Sequence, residues 1–153
     1  MELKSYEIKE SAINMDERTF KGYASTFDLD QVDDIIHPGA FRKSIQEAFP
    51  AKKIKVLWQH WEPLGMPVEM YEDAKGLYVK AKVSKTTLGD EALELMRDGV
   101  VDKMSIGFKI PKGKCDYSDD GVRNIREVQL LEFSPVTFPA NEAAVITGVK
   151  NLE

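Results

Sequence analysis

Asp102-Lys103-Met104-Ser105-Ile106-Gly107-Phe108-Lys109-Ile110 alternates without a break: Met104, Ile106, Phe108 and Ile110 fall on one face, Lys103, Ser105, Gly107 and Lys109 on the other. A two-residue period of this kind predicts a half-buried β-strand. It places one hydroxyl, Ser105, opposite the apolar row, with a glycine two residues on. A glycine there leaves room for another backbone to approach closely. Ser105 is then either a nucleophile with cleared space beside it or a small surface residue, and the rest of the chain has to decide.

Working outward, the stretch before this strand predicts a helix, with Thr87 as cap and Asp90 in the capping-box position. Leu88, Ala92, Leu95 and Met96 form its apolar stripe, and Gly99 stands where helices often end. Earlier still, residues 64–72 and 77–84 alternate around Glu72-Asp73-Ala74-Lys75-Gly76 and read as a hairpin. Residues 53–60 read as a strand whose face of Ile54, Val56 and Trp58 ends on His60. Phe41, Ile45, Ala48 and Phe49 mark a helix over 42–49, stopped by Pro50. At the amino end, residues 3–8 and 18–26 alternate across Asn14-Met15-Asp16-Glu17 and read as a second hairpin. Beyond the Ser105 strand come a polar loop, 112–121, a strand-rich segment, 122–138, and a short final element opening at Pro139-Ala140-Asn141. About seven strands and two helices, with no βαβ alternation, predict a mainly β (α+β) fold: one domain over 1–153, a mostly antiparallel sheet, closed or nearly closed, with helices packed outside it.

Composition narrows the function classes. A net charge of −5 argues against a general nucleic-acid binder, which carries a basic footprint. No apolar run approaches the roughly 20 residues needed to span a bilayer, and Met1-Glu2-Leu3-Lys4 lacks the apolar core of a secretory signal, which points to a cytosolic chain. The single cysteine, Cys115, rules out an internal disulfide framework and a cysteine-rich zinc site, and reads as an incidental loop thiol. Asp28, Asp30, Asp33 and Asp34 form an acidic loop. It lacks the glycine and terminal glutamate of an EF-hand, so a solvated loop is the better reading and a calcium site the alternative.

The chain has only two histidines. His37 precedes Pro38 in a loop and reads as a surface residue. His60 ends a strand, beside Trp61 and Glu62, at an edge where a site could open; the bland alternative is a histidine hydrogen-bonded at a strand end. Glu132 lies in the apolar run Leu130-Leu131-Glu132-Phe133, sharing parity with Val128, Leu130 and Val136. Burying a carboxylate unpaired is strongly unfavourable. Its partner is either a structural cation, such as Arg126 or Lys103, or an imidazole that needs a carboxylate to hold its tautomer. His60, Ser105 and Glu132 are together the parts of a triad. Triads are recognised by geometry rather than chain order, so the sequence permits this one without establishing it.

Seven pieces in order carry a resemblance: Lys21-Gly22-Tyr23-Ala24-Ser25-Thr26-Phe27; the Asp-rich loop closing on Pro38-Gly39-Ala40-Phe41; Val56-Leu57-Trp58-Gln59-His60; Leu64-Gly65; Gly76-Leu77; Met104-Ser105-Ile106-Gly107-Phe108; and the run from Glu132 to Asn141. Together they resemble the prohead maturation proteases of tailed bacteriophages, a family similar in fold to the herpesvirus capsid-maturation proteases. The resemblance implies a mostly antiparallel barrel of about seven strands ringed by helices, and a serine endopeptidase with Ser105 as nucleophile and His60 as general base. The herpesvirus relatives have a second histidine after the serine; none follows Ser105 here, and by position the slot falls to Glu132. It further implies no metal or organic cofactor, oxyanion donors near residues 134–141, and capsid-protein and scaffold segments as substrates. Self-cleavage, action inside the procapsid in the host cytoplasm, and a homodimer or higher oligomer belong to the same implication. At 153 residues the chain is short for a full-length member, as a form trimmed at its C-terminal tail would be. A non-catalytic capsid-assembly or scaffolding module with the same barrel is the alternative.

Overall fold

The computed structural model describes residues 1–8, 12–30 and 32–138. Among them, the strands run in chain order as β1 (Glu2–Glu7), β2 (Ile13–Asn14), β3 (Thr19–Thr26), β4 (Asp34–Ile36), β5 (Lys55–Trp58), β6 (Glu62–Glu72), β7 (Gly76–Val83), β8 (Lys103–Lys109), β9 (Cys115–Tyr117), β10 (Arg123–Ile125) and β11 (Gln129–Val136). Eight form one sheet in the order β1-β8-β11-β5-β6-β7-β3-β2, and β4-β10-β9 form a second. In the large sheet only β5 and β11 pair in parallel. The mainly β, mostly antiparallel expectation therefore holds. The closed seven-stranded barrel does not: the large sheet has eight strands and curls until β1 and β8 come near β3, but β1 and β2 stay as its edges, making a half-barrel.

Closure is replaced by charge pairing. The inward side chains of β1 find partners in the small sheet and the acidic loop rather than in β3. Lys4 bonds to Asp34 at 2.8 Å and also to Asp30. Arg123 grips Asp34 through two nitrogens, at 2.9 and 2.7 Å, and reaches Glu2 at 2.5 Å. The acidic loop is thus only in part the solvated loop expected, with Asp28 and Asp33 exposed. Two of its four carboxylates hold cationic side chains, and no metal-competent cluster occurs among the described residues.

The strands at 3–8 and 18–26 exist but do not pair with each other. β1 lies against β8, with Ser5 opposite Ser105, while β3 pairs with β7 and with the short β2. Alternation identifies a strand but says nothing about its partner. The hairpin of β6 and β7 forms as expected, with Tyr71 opposite Tyr78 around a turn where Asp73 N–H donates to Gly76 O at 2.9 Å.

One α-helix, α1 (Thr87–Arg97), is present among the described residues, so helices do not ring the sheet. Its cap is Thr86, one residue earlier than expected: the Thr86 hydroxyl accepts from Gly89 N–H at 2.9 Å, and Asp90 pairs with Arg18 instead. Gly89, Ala92, Leu93 and Met96 are its buried residues, while Leu88 and Leu95 are half-buried and pack against the core. The expected helix at 42–49 contains a short π-helical segment, Ser44–Ala48, with Phe49 N–H bonded five residues back to Ser44 O. The Ser44 hydroxyl donates to Val128 O and accepts from Leu130 N–H, tying that segment to the start of β11. Cys115 is half-buried on β9 rather than in a loop. Among the described residues no helix is long and apolar enough to cross a membrane.

Phe20, Phe41, Phe108, Phe133, Leu64, Leu77 and Ile106 fill the concave side, and Phe20 meets Phe133 edge-on at 6.3 Å. Each fully buried side chain of this size contributes about 1.5–3 kcal/mol. β8 departs from its half-buried expectation: every residue from Met104 to Phe108 is buried. Flanked by β1 and β11, its outer face is covered by the structure described below.

Burial works against an ionised Asp34, but the hydrogen bonds from Arg123 and Lys4 outweigh it and hold the carboxyl below the usual carboxylate range. A depressed folded-state pKa contributes stability above the unfolded value of about 3.9 and loses it as pH falls through the folded value. Asp34→Asn should therefore cost about 1.5–3 kcal/mol at neutral pH. It should also flatten the acid limb of urea-unfolding free energy plotted from pH 6 to pH 2.

Candidate active site

The site lies on the outer face of the large sheet, where β5, β8 and β11 come together. Ser5, Ser105 and Ser134 share one register across β1, β8 and β11, a row of small side chains that leaves space above the sheet. Into that space the turn from β5 to β6 carries His60. Trp61 N–H donates to Trp58 O at 3.1 Å, and the two residues between, Gln59 and His60, have φ of 55° and 67°. Tight hairpins need such positive φ at both central positions and usually use Asn or Gly there. A non-glycine residue in this region costs on the order of 1–3 kcal/mol and persists only where its surroundings over-determine it.

The surroundings are on β11 and just beyond it. Gln59 N–H donates to Pro135 O at 3.1 Å. The Gln59 amide donates to the Thr137 hydroxyl at 2.7 Å and accepts from Thr137 N–H at 3.0 Å. His60 N–H donates to the Ser134 hydroxyl at 3.2 Å. Four bonds thus lock the turn to the strand that carries Glu132.

Glu132 reaches the outer face because β11 is bulged. The register of β11 against β8 slips between Leu130 and Glu132, leaving Leu131 as an extra residue. Leu130 and Phe133 therefore both face the core, and Glu132 turns out with Ser134, away from the apolar row whose parity it shares in the sequence. A bulge re-aims side chains in just this way and is common beside functional sites. Glu132 stands opposite Gly107, where a Cβ would meet its Oε2 at 2.3 Å and Met1 Sδ at 2.6 Å. Gly107 is indeed needed for a close approach, but what approaches is a carboxylate rather than a backbone.

The three sequence candidates meet. His60 Nε2 is 2.8 Å from Ser105 Oγ, and His60 Nδ1 is 2.6 Å from Glu132 Oε2. Glu132 Oε1 accepts from the Ser134 hydroxyl at 2.6 Å. An ionised carboxylate can only accept. The Nδ1 hydrogen therefore points at Glu132, which leaves the Nε2 lone pair facing the Ser105 hydroxyl. Ser105 and Glu132 are 1% and 3% exposed, whereas the His60 side chain keeps 16%. An imidazole open to solvent above a sheltered serine, oriented from behind by a buried carboxylate, can carry a proton between that serine and a group arriving from outside.

The rival partners of Glu132 are engaged elsewhere: Arg126 with Asp116 at 3.2 Å and Lys103 with Asp102 at 3.0 Å. His37 bonds through Nε2 to Asn124 at 2.8 Å and stands apart from the site. Of the expected oxyanion region, Pro135 has no N–H, Thr137 N–H is taken by Gln59, and residues 139–141 lie outside the described residues. The side-chain roles of Ser134, Gln59 and Thr137 are not anticipated by the sequence reading, which assigns the 134–141 stretch only oxyanion donors. Their only sequence signal is the spacing of Ser134 two residues after Glu132, which puts both on one face of a strand.

A mainly β half-barrel with a serine, a histidine and a glutamate hydrogen-bonded in series has the parts of a serine hydrolase. The chain belongs to the caudovirus prohead serine protease family, whose model matches residues 4–153. It is 38% identical over 140 residues to the prohead protease of Enterobacteria phage HK97, covering 88% of this chain and 61% of that protein. It is 30% identical over 155 residues to the capsid polyprotein of Pseudomonas phage PAJU2, covering 95% of this chain and 22% of that one. The chain thus spans less than two thirds of the length of either relative. Among solved structures it is similar to the capsid assembly protease of bacteriophage T4, with a TM-score of 0.63 at 14% identity, covering 79% of this chain and 82% of that one. At that identity the likeness concerns the fold.

Gly107→Ala tests the packing of the site. The added methyl has to displace a carboxylate held by two hydrogen bonds, so the protein should lose about 1–3 kcal/mol in urea unfolding. The 2.6 Å contact to His60 should open, seen as loss of the low-field imidazole N–H resonance in proton NMR.

Proposed function

We propose that this chain is the protease domain of a phage prohead maturation enzyme, a serine endopeptidase acting through Ser105, His60 and Glu132. The observation that carries the reading is the unbroken series from Ser105 Oγ to His60 Nε2 and from His60 Nδ1 to Glu132, at 2.8 and 2.6 Å. Membership of the prohead protease family supports it from the side of sequence.

In this reading Ser105 Oγ attacks the scissile carbonyl as its proton passes to His60 Nε2. The imidazolium so formed is stabilised by Glu132, and its proton goes to the leaving amine as the C–N bond breaks. A water molecule, deprotonated by His60, then attacks the acyl-serine ester and releases the acid, returning Ser105 to its hydroxyl form. Glu132 keeps the charge throughout and holds the imidazole in the tautomer that accepts at Nε2. No metal or organic cofactor enters any step.

The substrates in this proposal are extensions of the major capsid protein and of scaffold segments inside the procapsid, in the host cytoplasm. The match to part of a protein named capsid polyprotein supports capsid chains as the substrate class. The competing idea, a non-catalytic assembly module, gives no reason for two strained turn residues, a bulge and a closely packed glycine to converge on one imidazole.

A serine-directed phosphonate, read by intact mass, should add once to the wild type and not at all to Ser105→Ala or His60→Ala. Glu132→Gln should still bind the probe but react on the order of 10³–10⁴-fold more slowly. Correctly folded wild type that never labels would transfer the proposal to the assembly module.

A further inference from the structure

Ser134 is a residue the three-part chemistry does not require, and it is the best-buried hydroxyl in the site. It is 0% exposed on β11, directly across from Ser105. Its oxygen accepts the His60 backbone N–H at 3.2 Å, and its hydrogen goes to Glu132 Oε1 at 2.6 Å. The directions are fixed by chemistry: a backbone N–H can only donate, so the hydroxyl lone pair must face His60 and its single proton must face the carboxylate.

One hydroxyl therefore touches both members of the imidazole–carboxylate pair, at points away from the bond between them. The glutamate side chain has a soft terminal torsion. With Oε1 unheld, its carboxylate can rotate and turn Oε2 out of line with Nδ1. The backbone of His60, in its strained conformation, is held at the same oxygen. A Ser134 hydroxyl that lets go loosens the base and its orienting group together.

We infer that Ser134 is a positioning residue that acts through Glu132 and His60 to aim the imidazole at Ser105, touching no reacting atom itself. This rests on the protease reading for its consequence in rate, but not for its consequence in geometry. A purely structural serine would fill space and satisfy two polar groups. Its loss would lower stability and leave the orientation of His60 as it was.

The two roles separate in one experiment on the full chain, with the proton NMR resonance of the His60 Nδ1–H as its primary readout. His37→Gln assigns that resonance by removing the other imidazole. In Ser134→Ala the resonance should broaden into exchange or move upfield. The phosphonate labelling rate at saturating probe should fall about 10–100-fold, as expected from losing a hydrogen bond to a charged group, with half-saturation unchanged. Ser134→Thr, which keeps the hydroxyl, should restore the resonance and most of the rate. Should threonine not fit the buried site, Ser134→Cys, with a weak donor, should fall between alanine and wild type. A Ser134→Ala protein that melts earlier yet keeps the resonance and the rate would overturn the inference. Wild type that shows the resonance but never labels would overturn the protease reading while leaving the geometric result readable.

Discussion

Glu132 is a carboxylate in the middle of an apolar strand, and much of the site is arranged around making it tolerable there. An ionised group in that position needs full hydrogen bonding, since an unpaired buried charge costs several kcal/mol. Both its oxygens are used, one by an imidazole and one by a hydroxyl. The bulge at Leu131 turns it out of the core, and Gly107 opens the space it enters. The turn of β5 into β6 delivers the imidazole at the cost of two residues with positive φ. Each of these features is unfavourable or neutral alone, and together they resolve one electrostatic problem in a form that leaves a lone pair facing a serine.

Local elements were legible in the sequence because they follow from period and turn chemistry. The Ser105 strand, the β6–β7 hairpin and the helix before Gly99 appear where alternation, the Asp73–Gly76 turn and the apolar stripe put them. Long-range pairing was not legible. β1 belongs beside β8 rather than β3, and nothing in Leu3, Ser5 or Tyr6 names a partner a hundred or so positions away. The closed barrel failed for a related reason. Whether a curled sheet seals depends on what its last strands find to bond with, and here Glu2 and Lys4 found Arg123, Asp34 and Asp30.

The three candidate residues came together, although the sequence argument for Glu132 rested partly on a parity that the structure breaks. Glu132 looked embedded in an apolar row because the extra residue of a bulge is invisible to counting by twos. The need for a partner was sound, and it survived the error in direction. The side-chain bonds by which Ser134, Gln59 and Thr137 hold His60 and Glu132 are not legible in the sequence, because small polar side chains near a turn are common and become informative only when their hydrogen bonds are seen.

The parallel contact between β5 and β11 also has a temporal meaning. Glu132 follows His60 by 72 residues, and Ser105 follows it by 45. On a ribosome, a chain that has already exposed Ser105 and His60 still lacks the carboxylate that bonds to His60 Nδ1, and the strand on which the turn rests. Long-range pairings of this kind form late, because loop closure must come first. The sheet order therefore acts as a clock: the three side chains of the site meet only after β11 has been synthesised and has docked between β5 and β8.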